Sequence, residues 1–231
     1  MRCLIAVLAI GIFCLAAKGV TAADPQPIDL ELVLAVDNSL SVNAREFALQ
    51  INGIAEAFRH PDVVAAVLSH DGIVVSLVLW SNHQQQETGV AWHHLKDAAS
   101  ITDFAAKVAE VSRIDVSGGT GIGSAMAYAL RLLGKNAFDG ERRVIDVSGD
   151  GQNNMGVVPS TIRDRAVVLG ITINGLAILD EEPRLDQYYL ANVIGGPGAF
   201  LEIAEDFDTF STTIRRKLLR EIGGRSLVLY R

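Results

Sequence analysis

Leu30-Glu31-Leu32-Val33-Leu34-Ala35-Val36 runs straight into Asp37-Asn38-Ser39-Leu40-Ser41. The apolar run has the length and branched-residue content of a parallel strand buried on both faces, without the alternation of a half-exposed one. It stops abruptly at one carboxylate and two hydroxyls. Val42-Asn43-Ala44-Arg45-Glu46-Phe47-Ala48-Leu49 then reads as the start of a helix. Ligands of open α/β sheets bind beyond the carboxyl ends of the strands, so Asp37, Ser39 and Ser41 form a candidate site. Carboxylates and hydroxyls are hard oxygen donors, suited to Mg²⁺-like ions rather than to zinc or copper. Taken alone, the pentapeptide also has a plainer reading. Asp and Ser are favoured helix N-caps, and one of them could simply cap the helix that follows.

Outward from this junction, strand and helix patterns alternate. Further strands are predicted over 73–80, 142–147, 171–179 and 200–204, beside the first over 29–36. Residues 84–95 read as the hairpin partner of 73–80 and so as an edge strand, with His93 and His94 on opposite faces. Helices are predicted over 44–58, 101–111, 124–133, 159–169, 185–194 and 207–222, with one or two further turns over 62–68. Such alternation implies right-handed crossovers. The expected fold is α/β: a doubly wound three-layer sandwich with a mostly parallel central sheet and one antiparallel edge strand.

The N-terminus reads as an export signal over 1–22. Met1-Arg2 is positive, Cys3 to Ala17 is apolar, and Val20-Thr21-Ala22 offers a small-x-small cleavage site. A membrane anchor fits less well, because the apolar stretch is shorter than the roughly 20 residues of a span. Phe13 stands where a lipoprotein signal would carry a small residue before Cys14. Both cysteines lie in this segment, so the remaining chain has no disulfide, thiolate ligand or cysteine nucleophile. A single domain over 28–231 is expected, periplasmic or secreted. Without Arg2 and Lys18 the balance is 18 basic against 27 acidic residues, a net charge of −9. That acidity argues against nucleic acid and anionic membranes as partners.

Two more polar loops share the first one's setting. Asp115-Val116-Ser117-Gly118-Gly119-Thr120-Gly121-Ile122-Gly123 opens a helix, and Ser148-Gly149-Asp150-Gly151 closes the strand 142–147. Together with Asp37-x-Ser39-x-Ser41, in this order and spacing, they make the chain resemble the von Willebrand factor type A (vWA) family, from about Asp29 to the C-terminus. The closest likeness is to an exported, functionally uncharacterised bacterial branch. In that family these loops form a metal-ion-dependent adhesion site. The resemblance implies that Ser39 and Ser41 ligate Mg²⁺ directly, with Mn²⁺ or Ca²⁺ as alternative ions. It implies that Thr120 ligates directly or through water, and that Asp37 and Asp150 act mainly through bound waters. The implied partner is a protein or peptide offering an acidic side chain to the ion, and the implied role is a binding module rather than an enzyme. In place of the hydroxyl residue that the family often carries before its aspartate-glycine pair stands Gly149, which would let the backbone approach the ion. Asp146 falls inside a strand, where a carboxylate needs a partner. Arg142 or Arg143 is the expected one.

The glycine-rich loop also invites a nucleotide reading. However, its third glycine comes one residue early for a dinucleotide fingerprint, and no Gly-Lys-Ser/Thr follows. A phosphotransfer enzyme built on Asp37 would want a second carboxylate at position 39 and a nearby lysine. A metal-dependent hydrolase in the same cleft would want a general base, and the three loops hold no histidine or lysine. A metal-free structural adaptor is the remaining alternative.

Overall fold

The computed structural model describes residues 24–114 and 118–223. The segment assigned to export, the start of the glycine-rich loop at Asp115-Val116-Ser117 and the C-terminal residues 224–231 lie outside the described residues.

The elements follow the expected alternation: β1 (Gln26–Asp37), α1 (Ala44–Arg59), α2 (Pro61–Leu68), β2 (Ile73–Trp80), β3 (Gln86–Leu95), α3 (Ala98–Ala109), α4 (Ile122–Leu133), β4 (Phe138–Gly149), α5 (Pro159–Val168), β5 (Thr172–Ile178), α6 (Leu185–Asn192), β6 (Leu201–Ala204) and α7 (Phe210–Gly223). The strands form one sheet in the order β3-β2-β1-β4-β5-β6. Every neighbouring pair is parallel except β2 with β3, the antiparallel edge read from the sequence. β4 begins four residues before its predicted start. Gln26 and Pro27 of β1 extend the pairing to Phe138 and Asp139, carrying a polar stretch into the sheet.

Burial splits the layers by parity, as a strand covered on both faces requires. Leu30, Leu32, Leu34 and Val36 of β1 pack with Phe47 and Phe58 of α1, Phe104 of α3 and Phe210 of α7. Val33 and Ala35 face the other way, toward Ile122 and Met126 of α4, Ile162 of α5 and Tyr189 of α6. His93 and His94 also part. His93 turns to Asp103 and Phe104 on α3, and His94 to Phe138.

Asp146 does not pair with either arginine. Arg142, on the same face of β4, donates to the carbonyls of Glu221 and Ile222 at 2.8 and 3.0 Å and caps the end of α7. Arg143, on the other face, donates to the Leu169 carbonyl after α5 at 2.7 Å. The partner is Lys217 of α7, 0% exposed, with Nζ 2.7 Å from Asp146 Oδ1 and 2.5 Å from Glu221 Oε1. Asn174 Nδ2 of β5 also donates to Glu221 Oε1, at 3.0 Å. A pairing between positions 146 and 217 leaves no periodic trace in the sequence, and local spacing favoured the arginines.

This buried cluster holds two carboxyls for one ammonium. Burial, helped by Asp146 and opposed by Lys217, pushes the Glu221 carboxyl up to about 7 from 4.5. The folded state therefore keeps a proton that the unfolded chain gives up between those values. Its stability contribution is complete at pH 4.5 and lost as pH rises toward 7. Denaturant unfolding across that interval is expected to show the wild type weakening by at most about 3 kcal/mol from this group. Glu221→Gln should flatten that part of the profile, and an unchanged slope in the variant would contradict the assignment.

Candidate metal centre

Helix α1 is capped without any help from the Asp-x-Ser-x-Ser loop. Asn43 Oδ1 accepts from the amides of Arg45 and Glu46, and Glu46 Oε2 accepts from the Asn43 amide at 2.8 Å, a reciprocal capping box. The plain N-cap reading of Asp37, Ser39 and Ser41 thus fails: their side chains turn inward to one another.

Asp37 ends β1 in the middle of the sheet and is wholly buried. Its Oδ1 accepts from the Ser39 amide at 2.7 Å, while Gln50 Nε2 of α1 donates to its carbonyl at 3.0 Å. Ser39 Oγ and Ser41 Oγ lie 3.1 Å apart, and Ser41 Oγ donates to Asp150 Oδ1 at 2.9 Å. A chain of side-chain oxygens so joins the β1–α1 loop to the end of β4. Thr120, 8% exposed, reaches the same place from the loop before α4. Its Oγ1 is 3.7 Å from where a β-carbon on Gly151 would sit. All five residues singled out in the sequence therefore meet at the carboxyl ends of β1 and β4.

Two asparagines not singled out in the sequence hold Thr120 there. The Thr120 amide donates to Asn154 Oδ1 at 2.8 Å, the Asn154 amide returns to the Thr120 carbonyl at 3.0 Å, and Asn153 Oδ1 accepts from the Gly123 amide at 3.1 Å. The loop glycines serve this packing. A β-carbon at Gly121 would lie 2.7 Å from the Asn82 carbonyl carbon, and one at Gly123 would lie 2.0 Å from the Val157 oxygen. Asn82 and His83 belong to the β2–β3 loop, a fourth wall of the site that sequence reading left out. Arg113 clamps the other side, its guanidinium donating to the Val42 carbonyl at 2.6 Å.

Gly149 has a different role from the one expected. A β-carbon there would fall 2.7 Å from Asp37 Oδ2, 2.9 Å from Tyr189 Oη and 3.1 Å from Trp80 Cζ2. Its missing side chain makes room for the Asp37 carboxyl between two buried aromatic rings. Nothing in local sequence marks Tyr189 for this, since it reads as one more core aromatic of α6.

The electrostatics are those of a cation cradle. Burial raises the Asp37 carboxyl well above the usual carboxylate range, and the charge of Asp150 adds to the rise against the Ser39 donors. Burial also raises Asp150, with Glu181 and Glu46 adding and the Ser41 hydroxyl opposing. Asp37 Oδ2 is buried with no hydrogen-bond partner among the described residues. An orphaned carboxylate oxygen beside a second carboxyl is costly unless a positive charge neutralises both. Among the described residues no three His, Cys, Asp or Glu side chains gather as a metal cluster. The donor set here is instead two carboxylates and three hydroxyls, the hard oxygen chemistry that suits Mg²⁺. The residues fit the ion.

The family described as "Protein of unknown function (DUF1194)" matches residues 27–226. No curated protein matches the chain. Among solved structures, proximal thread matrix protein 1 from the mussel byssus, described with a zinc-occupied MIDAS motif, superposes with a TM-score of 0.60 at 18% identity, covering 87% of this chain and 46% of its own. A von Willebrand factor type A protein from Catenulispora acidiphila gives 0.57 at 16%, covering 84% and 43%. The conserved hypothetical protein BatB from Bacteroides thetaiotaomicron gives 0.59 at 16%, covering 85% and 100%. The chain thus spans less than half the length of the first two. At these identities the likeness shows the fold, which is that of the vWA domain.

Proposed function

The chain belongs to the DUF1194 family, and on that premise, with the geometry of the cradle, we propose that it is an exported protein-binding module that docks a partner's acidic side chain through a divalent cation. The observation that carries this reading is the orphaned, buried Oδ2 of Asp37, set beside Asp150 and a row of hydroxyls. Ser39, Ser41 and Thr120 would be the direct ligands, and Asp37 and Asp150 would hold the ion's waters. Bound there, Mg²⁺ supplies a coordination position open to a partner's carboxylate. Neutral hydroxyls in the inner shell cancel little of a cation's charge, so this ligand set favours an incoming anion. The two aspartates neutralise the site from below, while Trp80 and Tyr189 keep water from the floor.

The same reading takes residues 1–22 as a cleaved export signal, residues 28–231 as the binding unit, and the periplasm or exterior as its place. Among the described residues no helix is long and apolar enough to cross a membrane. A zinc-occupied site of this type in the byssus protein supports divalent-cation binding, with Mg²⁺ as our choice of ion here.

Calorimetric titration with Mg²⁺ and Mn²⁺ tests the site. About one ion per chain is expected, lost in Asp37→Ala and Ser39→Ala variants that keep the wild-type circular dichroism. No heat from the wild type would defeat the docking site in favour of a metal-free structural adaptor. Turnover of a hydrolase substrate panel in the Mg²⁺-loaded protein would defeat the non-enzymatic reading.

A further inference from the structure

The rim of the cradle is electrically lopsided, and strand order sets the direction. β1 and β4 hold the cradle, with β5 and β6 on one side and β2 and β3 on the other. Asp180, Glu181 and Glu182 follow β5, and Glu205, Asp206 and Asp208 follow β6. The charges of Glu181 and of Glu46 on α1 reach the Asp150 carboxyl through space. Of the cations nearby, Arg45 is paired with Asp208 at 2.5 Å, Arg113 keeps its charge while donating to the Val42 carbonyl, and Arg184 offsets one of the three carboxylates after β5, which leaves this flank net acidic.

The opposite side differs in kind. Ser81-Asn82-His83-Gln84-Gln85 carries no Asp, Glu, Lys or Arg, and the first carboxylate there is Glu87, already within β3. Val157 and Val158, 41% and 57% exposed, stand beside this loop, since a β-carbon on the adjacent Gly156 would lie 2.5 Å from His83 Cβ. Leu40, 59% exposed, projects from between the two cradle serines.

Carboxylates within a Debye length of roughly 8–10 Å help recruit a cation and also repel an approaching anion. A partner that offers a bare acidic patch meets that repulsion on one flank. One that carries its own positive charge there turns it into attraction and gains orientation. We propose that the partner of this site is a protein segment whose metal-seeking carboxylate is flanked by Lys or Arg over the β5 and β6 loops and by apolar side chains over Leu40, Val157 and Val158. This rests on the docking reading above and adds to it a partner class and an orientation.

Three synthetic heptapeptides with a central residue between glycines provide the test, measured by fluorescence anisotropy in saturating Mg²⁺. One has Asp flanked by Lys, one Asp flanked by Glu, and one Asn flanked by Lys. The Lys-flanked Asp peptide is expected to bind about tenfold more tightly than the Glu-flanked one, the gap narrowing as salt rises. In the combined variant Asp180→Asn, Glu181→Gln, Glu182→Gln the two should come within about twofold, with one Mg²⁺ still bound by calorimetry. Equal binding of the two Asp peptides, or preference for the Glu flank, with Mg²⁺ uptake intact, would overturn the flank assignment while leaving the docking reading standing. Equal binding of the Lys-flanked Asn and Asp peptides would also overturn it, by showing a charge patch that ignores the carboxylate. A wild type that takes up no Mg²⁺ would instead remove the docking reading on which it rests.

Discussion

Lys217→Met is expected to cost about 3–5 kcal/mol of folding stability at neutral pH, among the largest effects of any single substitution in this chain. Lys217 is 0% exposed and answers two carboxylates from two elements, Asp146 of β4 and Glu221 one turn along its own helix. Removing the ammonium leaves both carboxyls buried, and only protonation relieves them. The loss should therefore shrink as pH falls below the Glu221 value of about 7. A buried ion pair is not in itself a strong source of stability, because desolvation offsets most of the attraction. The same principle separates two explanations. If charge alone matters, replacing the whole cluster with apolar side chains (Asp146→Val, Lys217→Met, Glu221→Met) should restore wild-type stability or exceed it. Geometry suggests what the ions add: only one rotation and register of α7 places Lys217 over Asp146 while Arg142 meets the carbonyls of Glu221 and Ile222. Urea unfolding at pH 5 and pH 8 measures both variants. A Lys217→Met stability within about 1 kcal/mol of wild type, the usual scale of a single substitution, would show that the cluster is solvated in solution.

The sheet and its helices were legible because their signals are local. β1 and β2 announce themselves as runs dominated by branched apolar residues, broken only by Glu31 in the core of one and Ser76 in the other, the mark of strands covered on both faces. The convergence of Asp37, Ser39, Ser41, Thr120 and Asp150 was legible for a related reason: the parallel strands of an α/β sheet bring their carboxyl ends to the same edge, so motifs far apart in sequence are gathered by topology. What could not be read were pairings between side chains on different elements. Lys217 and Glu221 share a helix with Arg215, Arg216 and Arg220, none of them buried, and nothing in local sequence marks these two as the buried charges. Asn43 looked no different from the Asp and Ser before it, yet its reciprocal bond with Glu46 decides which residue caps α1 and frees the others for the cradle. Gly149 shows the same limit. A glycine declares that space is needed without saying for what, and here the occupant is the carboxyl of Asp37, far back along the chain on β1.

Asp37→Asn should separate the two things this carboxyl does. As a carboxylate it is buried and raised by burial and by Asp150, so the folded protein without a cation bears a strain that the amide does not. The replacement keeps an acceptor for the Ser39 amide at Oδ1. It turns the orphaned Oδ2 into a donor beside the Tyr189 hydroxyl, which can accept. In chelator the variant is therefore expected to melt above the wild type, by about 2–4 °C for each kcal/mol gained in a domain of this size. With Mg²⁺ the order reverses. Ligand binding to the folded state alone adds about 2.7 kcal/mol at one hundred times the dissociation constant. The wild type gains this and the variant loses most of it, since residues that orient a metal's inner shell are worth about 10–100-fold in affinity. Crossing melting curves are the expected result: the variant more stable without the ion, the wild type more stable with it. A variant less stable than wild type in chelator and equally stabilised by Mg²⁺ would make Asp37 a plain hydrogen-bonding residue. The cradle would then lose its physical rationale, because a stability cost carried at Asp37 is what a binding site leaves behind when selection holds a carboxylate in place for a ligand.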